Sequence, residues 1–270
     1  MHRPTWLLPF STLSHAATVI QAIPGFHDPV SSLSHLAAAA VGLVGAVPLV
    51  RHGRGCPIRF SSVAIYVLSV IGLLTISGWY HSLEAGPFRQ VMRRLDYNAI
   101  WFLIAGTFTA IHGVMHRGRW RSWMLGVVWS LAIGGCVLQT YRFDLFSGPT
   151  GWILYSAFGW VGIFSIVKLG RQLGFHRIWP IWLSGIVYTV GAVLESRGMP
   201  TLVAGSIGPH EVFHICVILG IALHWMFIRQ VVTEFAPRSA LAKAPARVAL
   251  AAGVDPVVAA VDSGGSNGAP

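Results

Sequence analysis

Apolar residues gather along this chain into seven runs, roughly 33–50, 60–80, 97–115, 122–140, 150–168, 178–195 and 211–230. Each approaches the roughly 20 residues that an α-helix needs to cross a hydrocarbon core about 30 Å thick. The gaps are short and hold Arg, Gly and Pro, as in Arg51-His52-Gly53-Arg54 and Arg117-Gly118-Arg119; such gaps suit helices packed in a compact bundle. The pattern predicts an all-α fold, a seven-transmembrane helix bundle over residues 33–232 with a metal site near one membrane face. Ahead of it, residues 1–32 include Trp6-Leu7-Leu8-Pro9-Phe10, an apolar patch broken by proline and followed by no clean small-residue cleavage site. An interfacial segment is expected there rather than a cleaved signal peptide. Residues 233–270 turn to Ala, Pro, Gly and Ser and are expected to be a disordered tail. The string Ser-x-Leu-Ser-His occurs at Ser11 to His15 and again at Ser31 to His35; with no longer match around it, it is a coincidence rather than a repeat.

Composition names the solvent. The 270 residues are 54% hydrophobic and 10% charged, against about 25% charged in an ordinary soluble domain. Eleven Trp and six Tyr suit interfacial belts as well as packing between helices. The net charge of +10 sits in scattered gaps rather than on one face, which favours anionic lipid headgroups over nucleic acid as the partner. Cys56, Cys136 and Cys216 have no CxxC spacing, so neither a thiolate metal site nor a disulfide framework is indicated.

Against that apolar background, polar groups at the span ends ask for an explanation, because a charge within a span costs at least ~2.5 kcal/mol. His210 and His214 are four apart at the start of the seventh run, on one helix face, so both imidazoles can reach a single ion. Ser77 and His81 are a second directed pair at the end of the second run, and Asp96 opens the third. For Asp96 and Glu211 two readings compete: a carboxylate favourable to the macrodipole at a helix start, or a working group. Successive spans alternate in direction, which brings the end of the second run and the starts of the third and seventh to one side. His81, Asp96, Ser77, His210 and His214 can therefore converge.

Three imidazoles with no local cysteine or carboxylate pair describe a catalytic rather than a structural zinc site, with a fourth position left open. Asp96 could orient or deprotonate water there, and Ser77 could hydrogen-bond that water or a substrate oxygen. His35, near the start of the first run and on the same side, is a candidate partner to a ligand. His224 lies about 15 Å deeper than His214 and is expected to be a hydrogen-bonded core histidine. His112 and His116 fall toward the opposite face, where interfacial positions are expected. His210-Glu211-x-x-His214 also matches the HExxH motif of zinc metalloproteases, in which Glu211 would be the base; no further histidine follows His224 to complete a metzincin-type ligand set.

The wider pattern resembles the haemolysin III proteins, which belong with the progestin and adipoQ receptors and, more broadly, with alkaline ceramidases in the CREST superfamily. The resemblance runs over about residues 28 to 230. It is carried by Ser77-Gly78-Trp79-Tyr80-His81, Arg94-Leu95-Asp96-Tyr97, Gly106-Thr107-Phe108-Thr109, His210-Glu211-Val212-Phe213-His214 and His224-Trp225. It implies Zn2+ held by His81, His210 and His214, with Asp96 orienting water and Ser77 as a nearby hydroxyl. Asp28 stands where the family pattern has an acid, and Ser31 where it has Asn.

The leading expectation is a multi-pass protein of a bacterial-type plasma membrane that hydrolyses a lipid amide or ester, ceramide-like by analogy, with membrane lipid as both solvent and substrate. The alternatives are a non-enzymatic receptor or lipid sensor with structural zinc, a membrane-damaging haemolysin, and an intramembrane HExxH protease. Two signals for orientation conflict. Counting Lys and Arg puts the site outside the cytoplasm, whereas the resemblance to adiponectin receptors, with Arg89, Arg93 and Arg94 beside the site, puts it inside; the expectation follows the resemblance.

Overall fold

The structure, a computed structural model, describes residues 26–146 and 148–234. Residues 1–25 and 235–270, with the expected interfacial segment and disordered tail, lie outside them. The described chain is helical: α1 Pro29–His52, α2 Pro57–Ser82, α3 Pro87–Met115, α4 Arg119–Tyr141, the single turn α5 Phe143–Phe146, α6 Pro149–Trp160, α7 Ile163–Leu173, α8 Trp179–Ser196 and α9 Pro209–Glu234. Proline occupies one of the first two positions of α1, α2, α3, α6 and α8. There the missing N–H has no intrahelical partner to lose and the fixed φ already suits a helix.

Six segments of the described residues are long and apolar enough to cross a membrane: α1, α2, α3, α4, Thr150–Leu173 and α9. The sixth predicted run, 178–195, now α8, is not among them. With only 18 residues, it has no purely apolar stretch long enough to cross, because Trp179, Pro180, Trp182 and Glu195 lie within it. The fifth run is broken. Val161 and Gly162 keep helical dihedrals, but their N–H groups bond back to Phe158 and Gly159 carbonyls three residues away, which separates α6 from α7.

Helices alternate in direction, so their ends gather at two poles. At one pole Asp28 meets His81, His210 meets Glu195, and Arg94 reaches the Thr140 carbonyl. At the other, Arg177 pairs with Glu234 at the end of α9. Small residues allow close approach: a Cβ on Gly78 would meet Leu36 Cγ at 2.7 Å, and the contact lets Ser32 Oγ donate to the Gly78 carbonyl at 2.7 Å, tying α1 to α2. Tyr66, Leu74, Phe227 and Ile228 fill the core between α2 and α9, while Trp101, Met124, Phe146 and Phe158 form a second cluster around α3 and α4. The outside is apolar too. Val44 is 77% exposed, Val41 74% and Leu68 70%, as a lipid-facing surface requires.

Candidate metal centre

His81 closes the last turn of α2, and His210 and His214 lie one turn apart at the start of α9. The helix directions bring them together. His210 Nε2 lies 3.4 Å from His81 Nε2 and 3.0 Å from His214 Nε2, and the three form a group that could hold a metal ion. Metal–nitrogen bonds of 2.0–2.1 Å in a tetrahedron hold their nitrogens about 3.3 Å apart, close to both spacings.

Each ring is fixed by a partner on its other nitrogen. His81 Nδ1 is 2.9 Å from Asp28 Oδ2, His210 Nδ1 is 3.1 Å from Glu195 Oε1, and His214 Nδ1 is 2.8 Å from His35 Nε2. A carboxylate only accepts, so His81 and His210 carry their protons on Nδ1 and turn Nε2 lone pairs toward each other. Lone pairs at that distance repel unless a cation or a proton lies between them. The donor chemistry therefore fits a metal, and the Nδ1 partners are the kind that orient metal-bound imidazoles.

Asp28 sits just before α1, within a short strap whose backbone is bonded to α2: Asp28 N donates to the His81 carbonyl at 2.9 Å. Its carboxylate also accepts from Arg89 Nη2 at 3.0 Å. Burial alone would raise the Asp28 carboxyl; hydrogen bonds from His81 and His27 outweigh it and hold the group down at about 2. Glu195 was not singled out from the sequence, although a signal exists. It occupies the last turn of α8, where a carboxylate opposes the helix dipole, and parity places that end on the triad's side.

Asp96 and Ser77 meet beside the triad. Their side chains act on each other and line one cavity with His35, His210 and His214. The expectation that Asp96 stands at a helix start does not hold: α3 begins at Pro87, so Asp96 lies more than two turns inside, beyond the reach of the helix terminus. Glu211 does stand in the first turn of α9. It is buried, accepts from Ser31 Oγ at 3.1 Å and from Gly208 N at 2.8 Å, and staples the loop before α9 to α1. Ser31, at the position where the family pattern has Asn, thus serves Glu211.

The cavity, about 230 Å³, follows α3 from Asp96 to His112, a rise of roughly 24 Å. Leu103, Phe108, Ile181 and Val217 are among its many apolar walls. His224 lines it as a hydrogen-bonded side chain, with Nδ1 3.1 Å from the Gly220 carbonyl and Nε2 3.2 Å from Ser184 Oγ. His112 and His116 lie toward the far end as expected but are buried, not interfacial; His112 Nε2 contacts Ser165 Oγ at 2.8 Å and the two rings stack 4.8 Å apart.

Residues 26–225 match the family described as Haemolysin-III related. The chain belongs to the haemolysin-III family. It is 27% identical to Hemolysin-3 of Bacillus cereus over 165 residues, 60% of this chain and 75% of that protein. It is 31% identical to the Hemolysin-3 homolog of Bacillus subtilis (strain 168) over 135 residues, 49% of this chain and 62% of that protein. Six apolar helices and this membership make the haemolysin-III chain a multi-pass membrane protein.

Proposed function

We propose that this haemolysin-III protein is a seven-helix membrane hydrolase that holds zinc on His81, His210 and His214 and cleaves a lipid amide or ester. The observation carrying the proposal is the pairing of Asp96 with Ser77 beside three converging Nε2 atoms, at the end of a long apolar cavity. In this reading α8 also crosses the membrane, as the sixth of seven spans; its 18 residues rise about 27 Å, close to the thickness of the hydrocarbon core.

Zinc bound there supplies Lewis acidity and lowers the pKa of water to about 7. The chain's residues do the rest. Asp96, held in place by the Ser77 hydroxyl, takes a proton from the attacking water; the water oxygen adds to the carbonyl carbon, the C–N or C–O bond breaks, and Asp96 returns the proton to the departing amine or alcohol. The acyl chain lies along α3 in the cavity, where Leu103 and Phe108 exclude bulk water. A ceramide-like amide is the substrate class favoured by the family resemblance.

A second reading is a lipid sensor in which the metal is structural. It is favoured by the origin of the site's groups, which join α1 through His35, α2 through His81, α8 through Glu195 and α9 through His210 and His214. Asp96→Ala separates the two. Hydrolysis predicts that the purified variant keeps its zinc but releases no fatty acid from a panel of lipid amides and esters; unchanged release, or none by the wild type, contradicts it.

A further inference from the structure

We propose that the pole of the bundle opposite the histidine triad is a docking surface for the anionic lipid headgroups of the cytoplasmic leaflet, so that the triad opens to the outside. The folded bundle sorts its charges. Around the far pole the α1–α2 turn presents Arg51 and Arg54, the α3–α4 turn Arg117, Arg119 and Arg121, and the α7–α8 region Lys168, Arg171 and Arg177; Arg229 adds a ninth near the end of α9, while Arg59, in the first turn of α2, is buried. Among the described residues that pole has one acid, Glu234, which is paired with Arg177. The triad's pole reverses the balance, with five arginines and six acids, two of which, Asp28 and Asp144, pair with Arg89 and Arg142.

Lys and Arg in short loops set orientation because the cytoplasmic leaflet is anionic and attracts them. The far pole is also dressed for an interface. Trp123, Trp179 and Trp182 are exposed beside the basic turns, and Lys168 Nζ lies 4.6 Å from the centre of the Trp120 ring, an arrangement that anchors a helix end among headgroups.

The three arginines that argued for the opposite orientation are engaged locally. Arg89 is bound to Asp28, Arg93 Cζ sits 5.2 Å from the Phe143 ring and Arg94 Cζ 4.9 Å from it. They hold the triad's pole together instead of offering it to a leaflet. The proposal rests on neither metal nor hydrolysis.

Cysteine accessibility tests it. With Cys56, Cys136 and Cys216 replaced by serine, His52→Cys reports the basic pole and Tyr141→Cys the triad's pole; both residues are exposed. A membrane-impermeant maleimide applied to intact bacterial spheroplasts is expected to label Tyr141→Cys at least about ten-fold more than His52→Cys, with both labelled after permeabilisation. Preferential labelling of His52→Cys, or equal labelling of the two, overturns the proposal. Changing Arg51, Arg54, Arg117, Arg119 and Arg171 to Gln is expected to raise His52→Cys labelling in intact spheroplasts; no rise would mean that these charges do not set the orientation. The unaltered full chain gives an independent reading. A C-terminal green fluorescent protein, which fluoresces only in the cytoplasm, should be bright and a C-terminal alkaline phosphatase inactive, and the opposite pair of results overturns the proposal.

Discussion

Glu195 Oε1 lies 3.1 Å from His210 Nδ1, and this contact ties the end of α8 to the start of α9 across the loop that contains cis-Pro200. A carboxylate on Nδ1 fixes the tautomer that presents Nε2 to a metal and makes that nitrogen a better donor. Glu195→Gln keeps the shape and removes the charge. Metal affinity is expected to fall roughly 10–100-fold, measured by competition with a chelator, while the helical circular dichroism stays unchanged.

Asp28 holds His81 and Arg89 together. Asp28→Asn takes the carboxylate away from the Arg89 guanidinium and should cost roughly 1–3 kcal/mol of stability. The sign with pH follows from a folded-state pKa held at about 2, below the ordinary 3.8. A depressed carboxylate contributes its full stability above its unfolded pKa and loses it as pH falls through the folded one. The difference in Tm between wild type and Asp28→Asn in detergent is therefore expected to be constant above about pH 5 and to shrink between about pH 4 and pH 2.

Both Glu211 oxygens are occupied by Ser31 and the Gly208 amide. Glu211→Gln replaces one acceptor with a donor facing a donor, so a stability loss of about 1 kcal/mol is expected, with zinc content and fatty-acid release retained. A complete loss of activity with normal folding would instead restore the HExxH protease reading.

Gly78 lets α1 rest against α2 at the level where Ser32 donates to its carbonyl. In Gly78→Val the added atoms meet Leu36 and the Ser32 carbonyl, and overpacking of this kind costs typically about 1–3 kcal/mol. Because α1 carries His35, the zinc affinity of this variant is expected to fall along with its thermal midpoint.

Much of the fold was legible because lipid leaves few ways to satisfy a backbone: long apolar runs had to be helices. What hydropathy could not see were helical stretches of mixed polarity. The first turns of α3, from Pro87 to Arg94, mix apolar residues with three arginines and Gln90, so the apolar run began at 97 although the helix begins ten residues earlier. That shift changed the standing of Asp96 from a residue at a helix start to one well inside a span. The α6–α7 break was equally hidden, since Val161 and Gly162 continue the apolar run while their hydrogen bonds shorten to three residues.

The histidine triad was legible from spacing and parity. The i, i+4 relation places His210 with His214 on one face, and counting spans brings His81 to them. Their partners were harder to read, because Asp28 and His81 are 53 residues apart and His35 and His214 are 179 apart; only packing brings them into contact. Asp28 and His35 were already candidates, whereas Glu195 looked like one more acid at the end of a run.

The most direct test of the account is the zinc content of detergent-purified protein, wild type against His81→Ala, measured by atomic emission with a matched folding control. About one zinc per wild-type chain, absent from a folded His81→Ala variant, is the predicted result. A metal-free wild type, or zinc retained in full by His81→Ala, would contradict it.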